Sequence, residues 1–238
     1  MKIKAISFDI GHTLVKYNNP LNWKSLYEPA LTQAAESCGF YPSEEHIKSA
    51  AAILTKYNTR ENPREREVTS EVIFKEIFDV WKQAYCKINA AKAAFYGFFQ
   101  ADALCFDDAE ETLKKLKSRG IKIGALTDVA YGMDNLFSLA DIVLIQHYFD
   151  LALTSVDVGY RKPNAAGFSM LLEGFEVLPH QMLYVGDEEK DIAGANALGI
   201  VSVLIDRSQS GRDFGQKHTI YSLTELCGLI YEPEYGII

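Results

Sequence analysis

The chain contains 238 residues, of which 48% are hydrophobic and 24% are charged, and its formal net charge is −8. This is the composition of a folded globular protein with a sizeable core, which excludes a disordered or fibrous chain. Nucleic acids and anionic membranes call for clusters of Lys and Arg, so the acidic balance argues against both as partners and favours a small-molecule ligand.

Neither the four cysteines nor the N-terminus indicates export. The cysteines have neither CxxC spacing nor a histidine at ligand spacing, so we expect no zinc site and no disulfide framework. The N-terminal apolar stretch is interrupted by Asp9 and is too short for a signal peptide, and no run approaches the length of a membrane span. These features predict a protein of the reduced cytoplasm.

The first predicted element is a buried strand at the N-terminus. The apolar run that starts at Ala5 ends on Asp9, and Gly11, His12 and Thr13 follow it. Open α/β sheets bind ligands at the carboxyl ends of their strands. At such a position Asp9 can be a nucleophile, a metal ligand or a helix cap.

The next part of the chain, residues 17–100, is predicted to be helical. Apolar residues recur there at helical spacing, and we expect three or four amphipathic helices with no strand between them. The segments with this pattern are Leu21–Cys38, His46–Tyr57 and Val68–Ala84.

A polar, charge-rich connector at residues 59–67 separates the second and third of these helices, and Pro63 within it predicts a loop. From such a loop Arg60, Arg64 and Arg66 can reach an anionic substrate. Arginines interleaved with glutamates are also typical of a solvated surface, so two interpretations stand side by side.

From Phe106 onward, short apolar runs alternate with helical segments. The predicted strands are Ile121–Leu126, Asp141–Ile145, Leu151–Thr154, Met182–Val185 and Ile200–Ile205. The predicted helices are a segment that Asp107 or Asp108 caps and Gly120 ends, then Gly132–Leu139, Pro163–Phe175 and Asp191–Leu198. This alternation predicts an α/β fold with a doubly wound parallel sheet that helices cover on both faces.

The order of these elements also predicts two domains. An α/β core domain comprises residues 1–16 and 101–238, and the helical domain of residues 17–100 is inserted into it after the first strand. Because the insertion follows the end of a strand, we expect the helical domain to lie like a lid over the carboxyl ends of the strands.

Polar residues at four predicted strand ends can form one site if those ends converge. They are Asp9 with Thr13, Thr127 with Asp128, Arg161 with Lys162, and the segment from Gly186 and Asp187 to Asp191. Carboxylates are hard ligands that suit Mg²⁺, and Lys and Thr can hold phosphate oxygens. An Asp can also be a covalent nucleophile that forms an aspartyl-phosphate. The set therefore indicates phosphoryl chemistry.

In this order and at this spacing, Asp9-Ile10-Gly11-His12-Thr13-Leu14, Thr127, Lys162-Pro163, and Gly186-Asp187 with Asp191 resemble the four motifs of the haloacid dehalogenase-like (HAD) hydrolase superfamily. The helical insertion after the first motif resembles the C1 cap of that superfamily. The resemblance extends to about residue 206. It implies a Rossmann-like core, a Mg²⁺ cofactor and hydrolysis of a small phosphorylated metabolite.

The resemblance implies roles for individual residues at the phosphate. Asp9 would be the nucleophile, and Lys162 would act with it on the transferring phosphate. Thr127 would bind the same group, and we place Asp128 and Thr13 around it. Asp128 can instead serve only as the cap of the following helix.

The resemblance implies that Asp9, Asp187 and the carbonyl of Gly11 are metal ligands. Asp191 would act near the metal directly, through water or by positioning Lys162. Gly11 departs from most phosphatases of the family, which have an Asp at this position as general acid and base. Positioned acid–base catalysis is typically worth about 10²–10⁴ in rate, so this loss need not abolish activity. His12 can replace the missing proton carrier or be a turn residue with no catalytic duty.

Three functional hypotheses follow. The first is a Mg²⁺-dependent phosphatase. The second is a 2-haloacid dehalogenase, because such members of the family also lack the second Asp, although they need no metal and generally lack the acidic fourth motif. The third is a binding or regulatory protein that keeps the phosphate and metal sites but turns over little, which Gly11 favours.

Overall fold

The computed structural model describes residues 2–17, 23–100 and 103–230 of the chain. Its β-strands are β1 (Ala5–Phe8), β2 (Val15–Tyr17), β3 (Ala103–Cys105), β4 (Lys122–Thr127), β5 (Leu151–Thr154), β6 (Met182–Gly186), β7 (Val201–Ile205) and β8 (His218–Ile220). Its α-helices are α1 (Tyr27–Ser37), α2 (Glu44–Tyr57), α3 (Ser70–Trp81), α4 (Ile88–Gln100), α5 (Ala109–Ser118), α6 (Asn135–Ser138), α7 (Ser155–Val158), α8 (Ala165–Phe175), α9 (Glu189–Ala197) and α10 (Leu226–Leu229).

The main sheet confirms the predicted parallel α/β architecture. Its six strands lie in the order β5-β4-β1-β6-β7-β8, and the adjacent strands are parallel. β1 lies between β4 and β6, with Phe8 opposite both Ala125 and Val185. The carboxyl ends of these three strands are therefore neighbours at one edge of the sheet. β2 and β3 form a separate two-stranded sheet.

Helices cover the sheet, which explains why its central strands are buried without alternation. Every residue of β1, β6 and β7 is buried. Phe168 of α8 packs edge-on against Tyr184 of β6, with 4.8 Å between the ring centroids. No helix within the described residues is long and apolar enough to cross a membrane.

The chain divides into two compact units. One comprises residues 1–16, 104–128 and 142–238, and the other comprises residues 17–103 and 129–141. The sequence assigns residues 129–141 to the α/β core, whereas in the structure they pack with the helical unit. The hydroxyl of Tyr131 lies 2.5 Å from that of Tyr27, and Asp134 accepts a hydrogen bond from Ser70 at 2.7 Å and pairs with Lys92 at 2.5 Å.

An aromatic cluster forms the core of the helical unit. Trp23 stacks on Phe99 with 3.9 Å between the ring centroids, and Phe95 contacts Phe74 and Tyr96 edge-on. Such pairs are worth about 0.5–1.5 kcal/mol each beyond the area that they bury. The predicted first helix is observed as a 3₁₀ turn from Trp23 followed by α1, and residues 21–22 of that prediction lie outside the described residues.

Two predicted elements between β4 and β5 are wrong. Residues 141–145 form 3₁₀ and turn structure instead of a strand, because Ile142 and Ile145 are buried while Val143 and Leu144 are exposed. This three-residue spacing belongs to a helical turn, and Ile145 donates its N–H to the Ile142 carbonyl at 2.9 Å. The predicted helix at 132–139 shrinks to α6, since Gly132 has a left-handed φ of 61°.

One predicted helix start is displaced, and one predicted helix cap makes no cap hydrogen bond. α8 begins at Ala165 and not at Pro163, because the side chain of Asn164 accepts the N–H of Ala166 at 2.9 Å. Asp108 does precede α5, but its carboxylate makes no cap hydrogen bond. It instead accepts hydrogen bonds from Arg207, Ser222 and the Leu223 N–H.

Candidate active site

Asp9 lies at the carboxyl end of β1, the central strand of the α/β unit. Its N–H donates to the Val185 carbonyl at 2.8 Å, which continues the β1–β6 ladder to this residue. Its side chain is almost completely buried, with 8% of the residue exposed. Burial raises the pKa of Asp9 to about 6, although the charge of Lys162 acts in the opposite direction. The carboxylate is therefore held in place and still mostly ionised at neutral pH.

The chain turns sharply directly after Asp9. The N–H groups of Leu14 and Val15 both donate to the Ile10 carbonyl, and His12 takes a left-handed φ of 54°. Thr13 is fully buried, and its hydroxyl has no hydrogen-bond partner within the part of the chain that the structure describes. The tight turn after Asp9 thus buries the side chain of Thr13.

Lys162 connects two of the predicted site carboxylates. Its Nζ lies 2.6 Å from Asp9 Oδ1 and 2.6 Å from Asp191 Oδ1, and its side chain is 1% exposed. The charges of Asp191 and Asp9 outweigh the desolvation of the ammonium and raise the pKa of Lys162 well above its ordinary value. The structure thus brings together the residues predicted from the first, third and fourth motifs.

Tyr184 is a member of the site that the sequence analysis missed. Its hydroxyl accepts a hydrogen bond from Lys162 at 3.3 Å and donates to the Leu126 carbonyl at 2.8 Å. The signal was a phenol in the middle of an otherwise apolar strand, since a buried Tyr hydroxyl needs a partner. Tyr184 therefore fixes the ammonium of Lys162 relative to β4.

Asp128 lies beside the site but does not present a free carboxylate to it. Its Oδ1 accepts the Lys162 N–H at 3.0 Å, and its Oδ2 lies 3.0 Å from Lys190 Nζ and 3.9 Å from Arg161 Nη2. These cations lower the pKa of Asp128 despite its burial. The preceding residue, Thr127, ends β4 and is 9% exposed.

A cluster of three carboxylates forms the acidic part of the site. Oxygen atoms of Asp9, Asp187 and Asp191 all lie within 4.8 Å of one another. Burial and the neighbouring negative charges raise the pKa of Asp187 to about 8. Within the described residues no hydrogen bond holds the Asp187 carboxylate, whereas Asp191 accepts from Lys162 through one oxygen and from the Glu188 N–H through the other, at 3.0 Å.

This donor set fits a divalent cation such as Mg²⁺. Hard oxygen ligands suit the ion, and an added positive charge would relieve the repulsion that raises the pKa values of Asp9 and Asp187. Asp9 and Asp187 have oxygens available for it. Asp191 contributes an oxygen to the same cluster, and its two oxygens also accept hydrogen bonds from Lys162 and from the Glu188 N–H.

The arginines of the 59–67 loop belong to the helical unit. Arg64 donates to the Tyr57 carbonyl at 2.7 Å and pairs with Glu67 at 2.9 Å. Its guanidinium also lies 5.8 Å from the centre of the Tyr57 ring. Arg64 therefore holds this loop to the end of α2.

Comparison with known proteins gives a consistent result. Residues 3–199 match the model of the haloacid dehalogenase-like hydrolase family. The chain is 31% identical over 148 residues to a ribulose-1,5-bisphosphate 5-phosphatase of Halopiger xanaduensis, covering 58% of this chain and 61% of the relative. It is 33% identical over 125 residues to a glyceraldehyde 3-phosphate phosphatase of Methanopyrus kandleri, covering 51% and 52% of the two chains. These matches thus span little more than half of each relative.

A solved structure shows the same fold over nearly the whole chain. It is a 2-haloacid dehalogenase from Pseudomonas syringae, which aligns with a TM-score of 0.68 at 21% identity and covers 96% of this chain and 98% of its own. Identity at this level concerns the fold alone. With the family match across 3–199 and the strand-end residues brought together, the chain belongs to the haloacid dehalogenase-like hydrolases.

Proposed function

We propose that this protein is a Mg²⁺-dependent phosphatase that acts on a small phosphorylated metabolite through an aspartyl-phosphate on Asp9. The observation that carries the proposal is the buried Asp9 carboxylate, held by Lys162 at 2.6 Å and grouped with Asp187 and Asp191. A nucleophile, a cation and an acidic cluster at one strand edge are the parts that phosphoryl transfer needs. The two phosphatase relatives support the same class of reaction.

The reaction proceeds in two steps in this proposal. The Asp9 carboxylate attacks the phosphorus atom, the bond from phosphorus to the leaving oxygen breaks, and that oxygen takes a proton from solvent. Water then attacks the phosphorus of the aspartyl-phosphate, the bond to Asp9 breaks, and inorganic phosphate leaves. Lys162 orients the nucleophile and stabilises charge on the phosphoryl oxygens, and the Thr127 hydroxyl binds the same group.

Asp9, Asp187 and the Gly11 carbonyl would hold the Mg²⁺ ion. When bound, the ion neutralises charge on the phosphoryl oxygens and on the carboxylates around it. Asp191 and Asp128 position Lys162, because each accepts a hydrogen bond from that residue, one from its ammonium and the other from its backbone N–H. We place Thr13 as a buried support of the turn after the nucleophile.

The substrate that we propose is a phosphate ester of a small carbon compound. The site combines one lysine ammonium with three carboxylates that could hold a divalent cation, which is equipment for one phosphoryl group. The relatives are named for phosphate esters of small sugars. We place the enzyme in the cytoplasm on the composition of the chain.

A second candidate function is a phosphate-ligand binding protein with little turnover, which the absence of an acidic side chain at Gly11 favours. The backbone of Gly11 lies outside the left-handed region, so an Asp can take its conformation.

The missing acid at Gly11 affects substrates differently, because leaving oxygens of low basicity need little protonation. The lack of this acid should therefore slow alkyl phosphates far more than aryl phosphates.

The test measures phosphate release from an aryl and an alkyl phosphate, with Mg²⁺ or with EDTA. We expect wild-type turnover to require Mg²⁺ and to fall by about 10³-fold or more in Asp9→Asn. Asp107→Asn, at an exposed position, is the control and should match the wild type. Turnover that survives both EDTA and Asp9→Asn would contradict the proposal, and metal-independent halide release from a 2-haloacid would indicate a dehalogenase instead.

Gly11→Asp in the same assay separates the enzyme from the binding protein. If only the proton donor is missing, this variant should gain about 10²–10⁴-fold on the alkyl phosphate and less on the aryl phosphate. Tight binding of a phosphate analogue without any gain in rate would support the binding protein.

A further inference from the structure

Two arginines in the loop after β7 each donate to a backbone carbonyl of a site loop. Arg207 donates to the Thr13 carbonyl at 2.9 Å, and Arg212 donates to the Asp187 carbonyl at 2.8 Å. A carboxylate holds each guanidinium in place: Asp108 at 2.9 Å for Arg207 and Asp206 at 3.1 Å for Arg212. The loop from residue 206 to residue 217 therefore connects directly to both segments that carry the acidic site.

We propose that Arg212, anchored by Asp206, is a positioning residue that holds Asp187 in the orientation required to bind Mg²⁺. This inference rests on the proposed function only in naming the ion. Two observations carry it. The guanidinium of Arg212 is held in place and donates to the Asp187 carbonyl, and the Asp187 carboxylate has no hydrogen bond within the described residues. The Asp187 side chain therefore takes its orientation from its backbone.

The anchor of Arg212 is rigid on the side away from the site. Asp206 is completely buried and also accepts hydrogen bonds from Ser208, Ser210 and the Gly211 N–H, at 3.1, 2.9 and 2.9 Å. A planar guanidinium can donate to two acceptors in fixed directions, here Asp206 Oδ1 through one nitrogen and the Asp187 carbonyl through the other. Arg212 thereby fixes the position of the Asp187 peptide relative to Asp206.

Groups that orient a metal ligand without touching the metal typically change metal affinity or activity by about 10–100-fold when they are removed. Arg212→Met removes both hydrogen bonds and keeps the length of the side chain. Arg212→Lys keeps the charge but reaches its acceptors from a single point, so it should recover only part of the effect. These two variants separate orientation from simple charge.

The matched control is Gln216→Leu, which loosens the same loop without touching Asp187. Gln216 accepts from the Phe214 N–H at 2.7 Å and donates to Thr219 at 2.9 Å and to the Arg212 carbonyl at 3.1 Å. If the order of the loop alone mattered, this variant would weaken the metal site as much as Arg212→Met does.

The experiment is calorimetric titration of each metal-free protein with Mg²⁺, after circular dichroism has established that each variant is folded. We expect Arg212→Met to weaken Mg²⁺ binding by about 10-fold or more, Arg212→Lys by less, and Gln216→Leu by less than 2-fold. Unchanged Mg²⁺ affinity in Arg212→Met, or equal losses in Arg212→Met and Gln216→Leu, would overturn the inference alone. A wild type that binds no Mg²⁺ would overturn both the inference and the metal dependence in the proposed function. If Arg212→Met does not fold, Arg212→Lys takes its place in the titration. Unchanged Mg²⁺ affinity in Arg212→Lys would then overturn the inference.

Discussion

Burying the Asp187 carboxylate is unfavourable for folding, although the proposed metal site needs this group. Its carboxylate is largely buried beside Asp9 and Asp191, and its pKa rises from an ordinary 3.8 to about 8. Because the folded metal-free protein keeps a proton that the unfolded chain releases above pH 4, its free energy of unfolding falls as the pH rises from about 4 to 8. The stability that the protonated Asp187 provides is complete below pH 4 and is lost by pH 8.

Asp187→Asn should therefore stabilise the metal-free protein at pH 8 and not at pH 4. We expect a gain of about 1–3 kcal/mol in the free energy of unfolding, measured by urea denaturation in EDTA at both pH values. Mg²⁺ should stabilise the wild type at pH 8 and have little effect on the variant. Equal pH dependence in the two proteins would show that Asp187 is not the group responsible.

At the scale of single elements, the site depends on how closely α9 approaches the end of β6. Gly186 ends β6, and a Cβ atom placed on it would lie 2.5 Å from Asp191 Oδ2. Asp191 cannot move aside, because it is completely buried and both of its oxygens accept hydrogen bonds. A glycine at this position is thus required by the side chain that holds Lys162.

Gly186→Ala should displace Asp191 and with it Lys162. We expect phosphatase activity to fall by about 100-fold or more and the protein to lose about 1–3 kcal/mol in stability. Gly228→Ala is the control, since Gly228 lies in α10 with no atom within 4 Å of an added Cβ, and alanine favours a helix. If both variants had the wild-type rate, the close contact between Gly186 and Asp191 would not be needed for activity.

Strands and helices were predicted best where one hydrophobic pattern identifies them. The strands that end before Asp9 and at Thr127 are short, mainly apolar segments, and the structure has them within one or two residues of the predicted ends. The run at 141–145 was equally apolar, but burial of Ile142 and Ile145 follows a helical turn. Tertiary contacts decide such short segments, and their residue types alone do not reveal them.

At the scale of the whole molecule, the strand order explains which site residues could be predicted. Parallel strands end at one edge, so Asp9, Lys162 and Asp191 could be grouped from the chain alone, and the structure brings them within hydrogen-bond distance. Arg212 acts through the Asp187 carbonyl, a contact that leaves no pattern in the sequence, whereas Tyr184 left a signal that was missed, a phenol in an otherwise apolar strand. Tyr131 and Asp134 place residues 129–141 in the helical unit through contacts with α1, α3 and α4 that only the folded chain reveals.

The central claim is that Asp9 carries the phosphoryl group during turnover, and acid quenching of the steady-state reaction tests it most directly. Mass spectrometry of the digested protein should find a phosphoryl group on the peptide that contains Asp9, only when Mg²⁺ and an aryl phosphate are both present. The Asp9→Asn protein should show none under the same conditions. Phosphate release by the wild type with no modified Asp9 peptide at any quench time, or with the phosphoryl group on another residue, would contradict the account.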